Sequence, residues 1–338
     1  MKTTLKFFAA AFAIAAITVP AAADAAKLPP PPKTATGKQS KVFATGVAVP
    51  TQITFGEGKT FIAGGAEGPK IPGGIYVVKK GSKKAVPIKG SPTSAYGVVW
   101  SGGKLYASQE TRIVAYSGWN GKGFNKRKTL VKGPKGFSGF SGLAIGPDNR
   151  VYSGVSLTQE FDHSANPMKY ANTVISVKKS GGGVKTVAKG LRQPWQMTFA
   201  KGETSPIVSV LAQDLPKGTL APDLLVKTTP GSDFGFPECN WATGSPCTDF
   251  TEPIHLFPKP TKGAATSPMG LASKGNKLYL ALFGGLPGSA PGIVTLDKSG
   301  ENIEPFMTGF GPPMLSVALH KGYVYVGDFT GRIYRVKE

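Results

Sequence analysis

Cysteine, histidine and acidic side chains are all scarce in this chain. Across 338 residues there are two cysteines, three histidines and 19 Asp+Glu. No Cys-x-x-Cys pair and no His-rich spacing occurs, so the usual zinc frameworks lack their ligands. A Gly-x-Ser-x-Gly elbow, a phosphate-binding loop and a His-Glu-x-x-His element are also missing, which removes the signatures of α/β hydrolases, P-loop enzymes and zinc proteases. Long apolar runs are absent beyond one, Phe7 to Val19, and that run falls short of the roughly 18 residues of a membrane span. Lys2 and Lys6 precede it and Ala21-Ala22-Ala23 follows, the pattern of a secretory signal. The expectation is a signal peptide over 1–23, no transmembrane segment, and a periplasmic or secreted protein.

What the chain has instead is positive charge, glycine and proline. Forty Lys+Arg against 19 Asp+Glu leave +21, about +19 once Lys2 and Lys6 are removed. So basic a chain often binds nucleic acid, but the expected export and the lack of any nucleic-acid motif argue against it. The lysines sit in turns, as in Lys79-Lys80, Lys83-Lys84, Lys126-Arg127-Lys128 and Lys178-Lys179. They read either as a solvated surface or as a field attracting an anionic polysaccharide, an anionic envelope surface or a protein partner. Residues 24–40, with Leu28-Pro29-Pro30-Pro31-Pro32, read as an extended Pro/Lys-rich tether. In an oxidising compartment, Cys239 and Cys247 are expected to form a local disulfide in their Pro/Gly/Thr loop.

Forty-five glycines and 29 prolines punctuate short runs of Val, Ile, Tyr and Phe, and no long stretch has a helical period. One three-strand unit recurs six times. Its clearest copies are Gly97–Trp100 with Lys104–Ala107 and Arg112–Tyr116, and Gly270–Ala272 with Lys277–Ala281 and Gly292–Leu296. The sixth copy, Ser316 to Val336, has no outer strand, while Lys41–Thr45 is left over at the start. A unit unable to bury its own faces, repeated six times, predicts an all-β, six-bladed propeller over 41–338, closed by that N-terminal strand.

In such a ring, the loops entering each inner strand and those joining second to third strands gather at one mouth, where a site is expected. The first set contains Gln52, Tyr96, Ser138, Arg192, Lys262, Thr266 and Pro312. The second contains Glu67, Gln109, Glu110, then Glu160, Asp162 and His163 in one long loop, then Gln213 and Asp214. His255 and His320 fall on the opposite side and read as structural, and Gly146-Pro147-Asp148 reads as a turn.

Three segments carry a resemblance: Gly190-Leu191-Arg192-Gln193-Pro194-Trp195, Pro230-Gly231-Ser232-Asp233-Phe234-Gly235-Phe236-Pro237, and Val326 to Val336. They resemble the glucose/sorbosone dehydrogenases, six-bladed quinoproteins that oxidise sugars with pyrroloquinoline quinone. The resemblance implies that Arg192 holds quinone carboxylates, a role suited to a fork-shaped guanidinium, with Gln193 replacing the family's Asn. It places the general base eight residues before Gly146, where Ser138 stands, and a serine needs a base of its own to take a proton. Ser141, Pro312 and Leu315 also depart from the pattern. His163, beside Glu160 and Asp162, is the candidate to replace the base. Asp233 replaces an Asn and is expected to shape its segment, with Phe234 and Phe236 packed inward and calcium as a conceivable neighbour. The related calcium lactonases need inward Glu, Asn and Asp, where this chain has Gln52, Tyr96, Ser141, Trp195, Met269 and Leu315. Two readings follow: an exported sugar oxidoreductase of this kind with a degenerate site, or a non-catalytic propeller binding anionic glycan or a protein.

Overall fold

The computed structural model describes residues 30–65, 73–79, 81–134, 139–156, 164, 167–212, 221–258 and 266–338. Each apolar run of the repeat becomes a strand, because alternating β-branched and aromatic residues suit a pleated, half-buried surface. Tight turns separate them. Between two of the strands Gly102 and Gly103 take φ of 56° and 73°, the paired left-handed conformation that a two-residue hairpin needs and glycine tolerates.

The first strand, β1, is Lys41–Ala44. Blade 1 is β2 (Pro50–Gly56), β3 (Lys59–Gly64), β4 (Gly74–Val78) and β5 (Ala85–Pro87). Blade 2 is β6 (Gly97–Ser101), β7 (Lys104–Gln109), β8 (Arg112–Trp119) and β9 (Phe124–Lys132). Blade 3 is β10 (Phe140–Ile145), β11 (Arg150–Val155), β12 (Thr173–Lys178) and β13 (Lys185–Lys189). Blade 4 is β14 (Gln193–Thr198), β15 (Ile207–Leu211), β16 (Asp223–Lys227) and β18 (His255–Phe257), and the two-residue β17 (Ser232–Asp233) pairs in parallel with β13 of blade 3. Blade 5 is β19 (Pro268–Lys274), β20 (Lys277–Leu282), β21 (Gly292–Asp297) and β22 (Glu304–Met307). Blade 6 is β23 (Met314–His320), β24 (Tyr323–Asp328) and β25 (Ile333–Lys337), and β1 completes its sheet by pairing antiparallel with β25, Lys41 opposite Arg335 and Ala44 opposite Ile333.

The Pro-rich stretch read as a tether is docked over its last residues. Thr34, 5% exposed, bridges to Met307 of β22, Ala35 N donates to Phe306 O, and Ser40 Oγ donates to Pro32 O. The edge of β22 offers free backbone groups, and a neighbouring segment satisfies them at little cost.

The core lies between blades. Ile53, Ile62 and Tyr76 pack on Ala318, Tyr325 and Ile333 between blades 1 and 6, while Phe61, Ile75 and Val77 meet Leu105, Ala107 and Tyr116 between blades 1 and 2. The same arrangement recurs at the other four junctions, for example Leu225 and Phe257 against Leu278, Leu280 and Leu296 between blades 4 and 5. Each such side chain contributes about 1.5–3 kcal/mol when buried, and a lone blade would expose both faces.

Close approach at the axis depends on glycine and hydroxyl residues. A Cβ on Gly270 would lie 2.5 Å from Ser316 Cα, and one on Gly97 2.8 Å from Leu143 N. Hydroxyls then bridge neighbouring blades. Thr51 Oγ1 donates to Ala95 O, Ser108 Oγ to Ser141 O, Ser141 Oγ to Pro194 O at 2.5 Å and Ser209 Oγ to Met269 O at 2.8 Å.

Candidate functional site

Five of the six inner strands carry a β-bulge at the end where the chain enters them. Register shifts fall between Pro50 and Gln52, Phe140 and Leu143, Pro194 and Gln196, Pro268 and Leu271, and Met314 and Ser316. A bulge re-aims side chains out of strict alternation. Here it turns consecutive residues, notably Trp195 and Gln196, toward the centre of the ring.

Two glutamines cross that centre. Gln52 Oε1 accepts from Val98 N at 2.8 Å and Leu143 N at 3.0 Å, and its Nε2 donates to Leu143 O at 2.8 Å, so one side chain of blade 1 ties blades 2 and 3. Gln196 of blade 4, 1% exposed, donates to Thr51 O at 3.0 Å and Tyr96 O at 3.4 Å on the far side. Room for it comes from Gly142, where a Cβ would sit 2.2 Å from Gln196 Oε1.

Above these glutamines, on the mouth side, lies an aromatic floor. The Tyr96 and Trp195 rings, from blades 2 and 4, meet edge to face with centroids 6.1 Å apart. Trp195 also packs against the cluster containing Met269 and Leu315, both at bulges. Glu110 accepts from the Tyr96 hydroxyl at 3.4 Å. Burial, then the Glu110 charge and that hydrogen bond, push the Tyr96 phenol well above its usual range, so it stays a neutral donor. Among the described residues, the half-buried Trp195 keeps Nε1 shielded with no hydrogen-bond partner, and the 1% exposed Ser316 likewise leaves Oγ unpaired.

Arg192 stands at the rim. Its guanidinium donates to Ala212 O at 2.6 Å and lies 3.5 Å from Gln193 Oε1. Ala212 N in turn donates to Asp223 Oδ1 at 2.9 Å, and Ser267 N donates to Asp223 Oδ2 at 2.9 Å, so the buried Asp223 joins blades 4 and 5. Beside Arg192 a shallow recess is walled by Leu224, Phe234, Phe236, Cys239 and Trp241. Cys239 and Cys247 are disulfide-bonded, with Cα atoms 5.2 Å apart. Asp233 shapes this segment as expected: Oδ1 accepts from Gly235 N, and Oδ2 pairs with Lys189 Nζ at 3.0 Å. Phe234 is 1% exposed, while Phe236 is half-buried and lines the recess.

Other candidates separate clearly. Ser138, His163, Glu67, Glu160, Asp162, Gln213, Asp214 and Lys262 lie outside the described residues. His320 stacks on Phe55 with centroids 4.2 Å apart and His255 packs on Phe257, away from the mouth as expected. Asp148 and Asp328 are turn braces. Each accepts from a tyrosine hydroxyl, Tyr152 and Tyr334, and burial together with the neighbouring carboxylate pushes both phenols up to about 12. Sequence reasoning missed Gln196 as a cross-axis strut. The available signal was a glutamine amid the apolar run Trp195 to Phe199.

A planar tricarboxylate such as the quinone needs several cationic or N–H donors around one slot. Among the described residues this mouth offers Arg192, already bonded to a carbonyl, and sets the Glu110 carboxylate beside the floor. Beside Arg192, the Tyr96 hydroxyl and the Trp195 N–H are the further donors that the described part of the mouth presents. Among the described residues there is also no cluster of three or more His, Cys, Asp or Glu able to hold a metal ion.

Neither a family model nor a curated protein matches the chain. Solved structures do match its fold. The PQQ-bound form of aldose sugar dehydrogenase from Streptomyces coelicolor is similar at 19% identity and TM-score 0.67, over 91% of this chain and 99% of that one. The calcium structure of a Trichoderma reesei carbohydrate-active enzyme of family AA12 matches at 15% identity and TM-score 0.70, over 91% and 97%. The apo form of the soluble aldose sugar dehydrogenase from Escherichia coli matches at 12% identity and TM-score 0.66, over 88% and 99%. At these identities the shared property is the six-bladed ring.

Proposed function

We propose that this chain is an exported propeller of the glucose/sorbosone dehydrogenase kind whose mouth binds a sugar, with quinone-dependent oxidation weak or lost. The observation that carries the reading is the Tyr96–Trp195 floor with Glu110 at its edge. An aromatic face takes the apolar side of a pyranose, and a carboxylate beside it takes hydroxyl hydrogens, the mixture typical of small polar-ligand sites. Support for the general kind comes from the sugar dehydrogenases among the structures sharing this ring. Support for weak chemistry comes from Ser138, which stands where the resemblance puts the base. Signal removal near Ala23 and export accord with the disulfide at Cys239 and Cys247.

Arg192 is proposed as the rim contact for an anionic substituent, by exchanging its Ala212 carbonyl for the ligand. The test is a titration of mature protein with pyrroloquinoline quinone and calcium, followed by aldose oxidation with an artificial electron acceptor. The expected result is little acceptor reduction above background. Robust aldose-dependent turnover that Arg192→Ala abolishes would instead establish the full enzyme.

A further inference from the structure

The positive charge is not spread evenly. Residues 68–147 hold fourteen Lys+Arg and a single carboxylate, Glu110, and so account for +13 of the chain's +21. Eleven of these cations are described, Lys79, Lys83, Lys84, Lys89, Lys104, Arg112, Lys122, Lys126, Arg127, Lys128 and Lys132, and all are exposed. None has a carboxylate partner among the described residues, whereas ion pairs such as Lys227–Glu203, Lys298–Glu203 and Lys274–Glu338 sit in blades 4 to 6.

The fold gathers several of these cations along the outer edge of blade 2. β9 is the outer edge of blade 2, and Asn125 to Thr129 are all exposed. Lys126 and Lys128 share one side of β9, about 7 Å apart at ~3.3 Å per residue, with Arg127 on the other side, and a bulge at Leu130 separates them from Lys132. Lys89 N donates to Lys122 O, which joins the outer end of blade 1 to the turn leading into β9. On the other side Gly182 N donates to Leu130 O, bringing the Lys178–Lys185 turn of blade 3 against the same strand. Lysine on an edge strand discourages strand pairing, but Lys89, Lys122, Lys178 and Lys185 lie outside β9 and extend the field beyond that need. Half-buried Trp119 and Phe124, with centroids 5.0 Å apart, close the lower end of the row. The one exposed large hydrophobic residue among those described, Leu256, belongs to blade 4, so the described residues of this flank offer no apolar anchor for a bilayer.

We propose that the flank of blades 1 and 2, centred on Lys126, Arg127 and Lys128 with Lys89 and Lys122, docks a linear carboxylated polysaccharide. An edge lined on both sides by cations with no carboxylate partner among the described residues matches a linear polyanion, and the aromatic pair at its end suits a sugar ring better than a lipid surface. This surface is separate from the mouth and stands whatever the mouth binds.

The test compares wild type with Lys126→Gln/Arg127→Gln/Lys128→Gln and with a charge-matched control, Lys201→Gln/Lys277→Gln/Lys337→Gln. All six residues are exposed, so folding is expected to survive, as a melting curve checks. Binding to polygalacturonate, neutral dextran and duplex DNA is titrated at several salt concentrations. The expected result is salt-sensitive polygalacturonate binding, weakened about tenfold or more in the β9 variant and little changed in the control. Dextran should not bind. Equal loss in both variants would reduce the effect to net charge and overturn the proposal. So would absence of polygalacturonate binding, or duplex DNA bound as tightly as the glycan.

Discussion

Replacing Gln52 with leucine tests whether the glutamine struts hold the ring together. The side chain makes three hydrogen bonds, to Val98 N, Leu143 N and Leu143 O, all on inner strands of other blades. Leucine keeps most of the volume but strands two backbone donors and one acceptor. Each lost bond costs about 0.5–1.5 kcal/mol net, and more where the stranded group stays dry, so a loss of about 3 kcal/mol is expected. For a chain of this size ~1 kcal/mol shifts Tm by about 2–4 °C, which places the variant roughly 6–12 °C below wild type by calorimetry. A second variant sharpens the test. Gln52→Glu retains both acceptor bonds but sets a carboxylate against Leu143 O, and only its protonated form can donate there. Its carboxyl pKa should therefore be raised, and its stability deficit should shrink as pH falls toward 4. A Gln52→Leu protein melting within 2 °C of wild type, with no pH-dependent recovery in Gln52→Glu, would mean that the glutamine struts do not hold the ring together.

Opening the disulfide with Cys239→Ser/Cys247→Ser removes a closure spanning eight positions. The chain-entropy relation gives ~2.5 kcal/mol for so short a loop, and limited proteolysis should then cut the 236–250 segment first. Acid should destabilise the protein in two windows. Burial holds His255 and His320 below the usual histidine range, so their contribution is present above about pH 6.5 and lost as pH falls through their folded values. Hydrogen bonds from Lys227 and Lys298 hold Glu203 low, so a further loss follows below about pH 4.5. Urea midpoints between pH 3 and 8 check both, and His320→Gln should flatten the upper window.

The ring was readable in the sequence because its evidence is repetitive. Six copies of an alternating strand unit, with an unpaired segment at each end, leave few architectures that bury every face. The pairings of β2 to β25 within the blades follow that pattern. The mouth was harder to read, because its chemistry depends on bulges. A bulge at Trp195 sends two consecutive side chains to the axis, and strict alternation would have sent one of them into a blade interface. Gln52 appeared as a mouth residue, yet its three bonds to blades 2 and 3 join positions 46 and 91 residues away, separations that local reasoning does not reach. Arg192 was identified by its motif, but its bond to Ala212 O depends on where β15 ends. The docking of Thr34 on Met307 was hidden for a similar reason, since proline-rich composition reports stiffness and not destination.

The central claim, a sugar seated on the Tyr96–Trp195 floor, is tested most directly by following tryptophan emission while aldoses are titrated into mature wild-type protein and Trp195→Phe. Four tryptophans are present, and Trp195 is the one on the floor, with Trp100 and Trp119 packed around Phe61 and Trp241 on the disulfide loop. A sugar on that floor gives a saturable aldose-dependent change in wild type that disappears in Trp195→Phe, with the melting temperature of the variant little altered. An unchanged signal in Trp195→Phe, or no saturable response to any aldose in wild type, would contradict it.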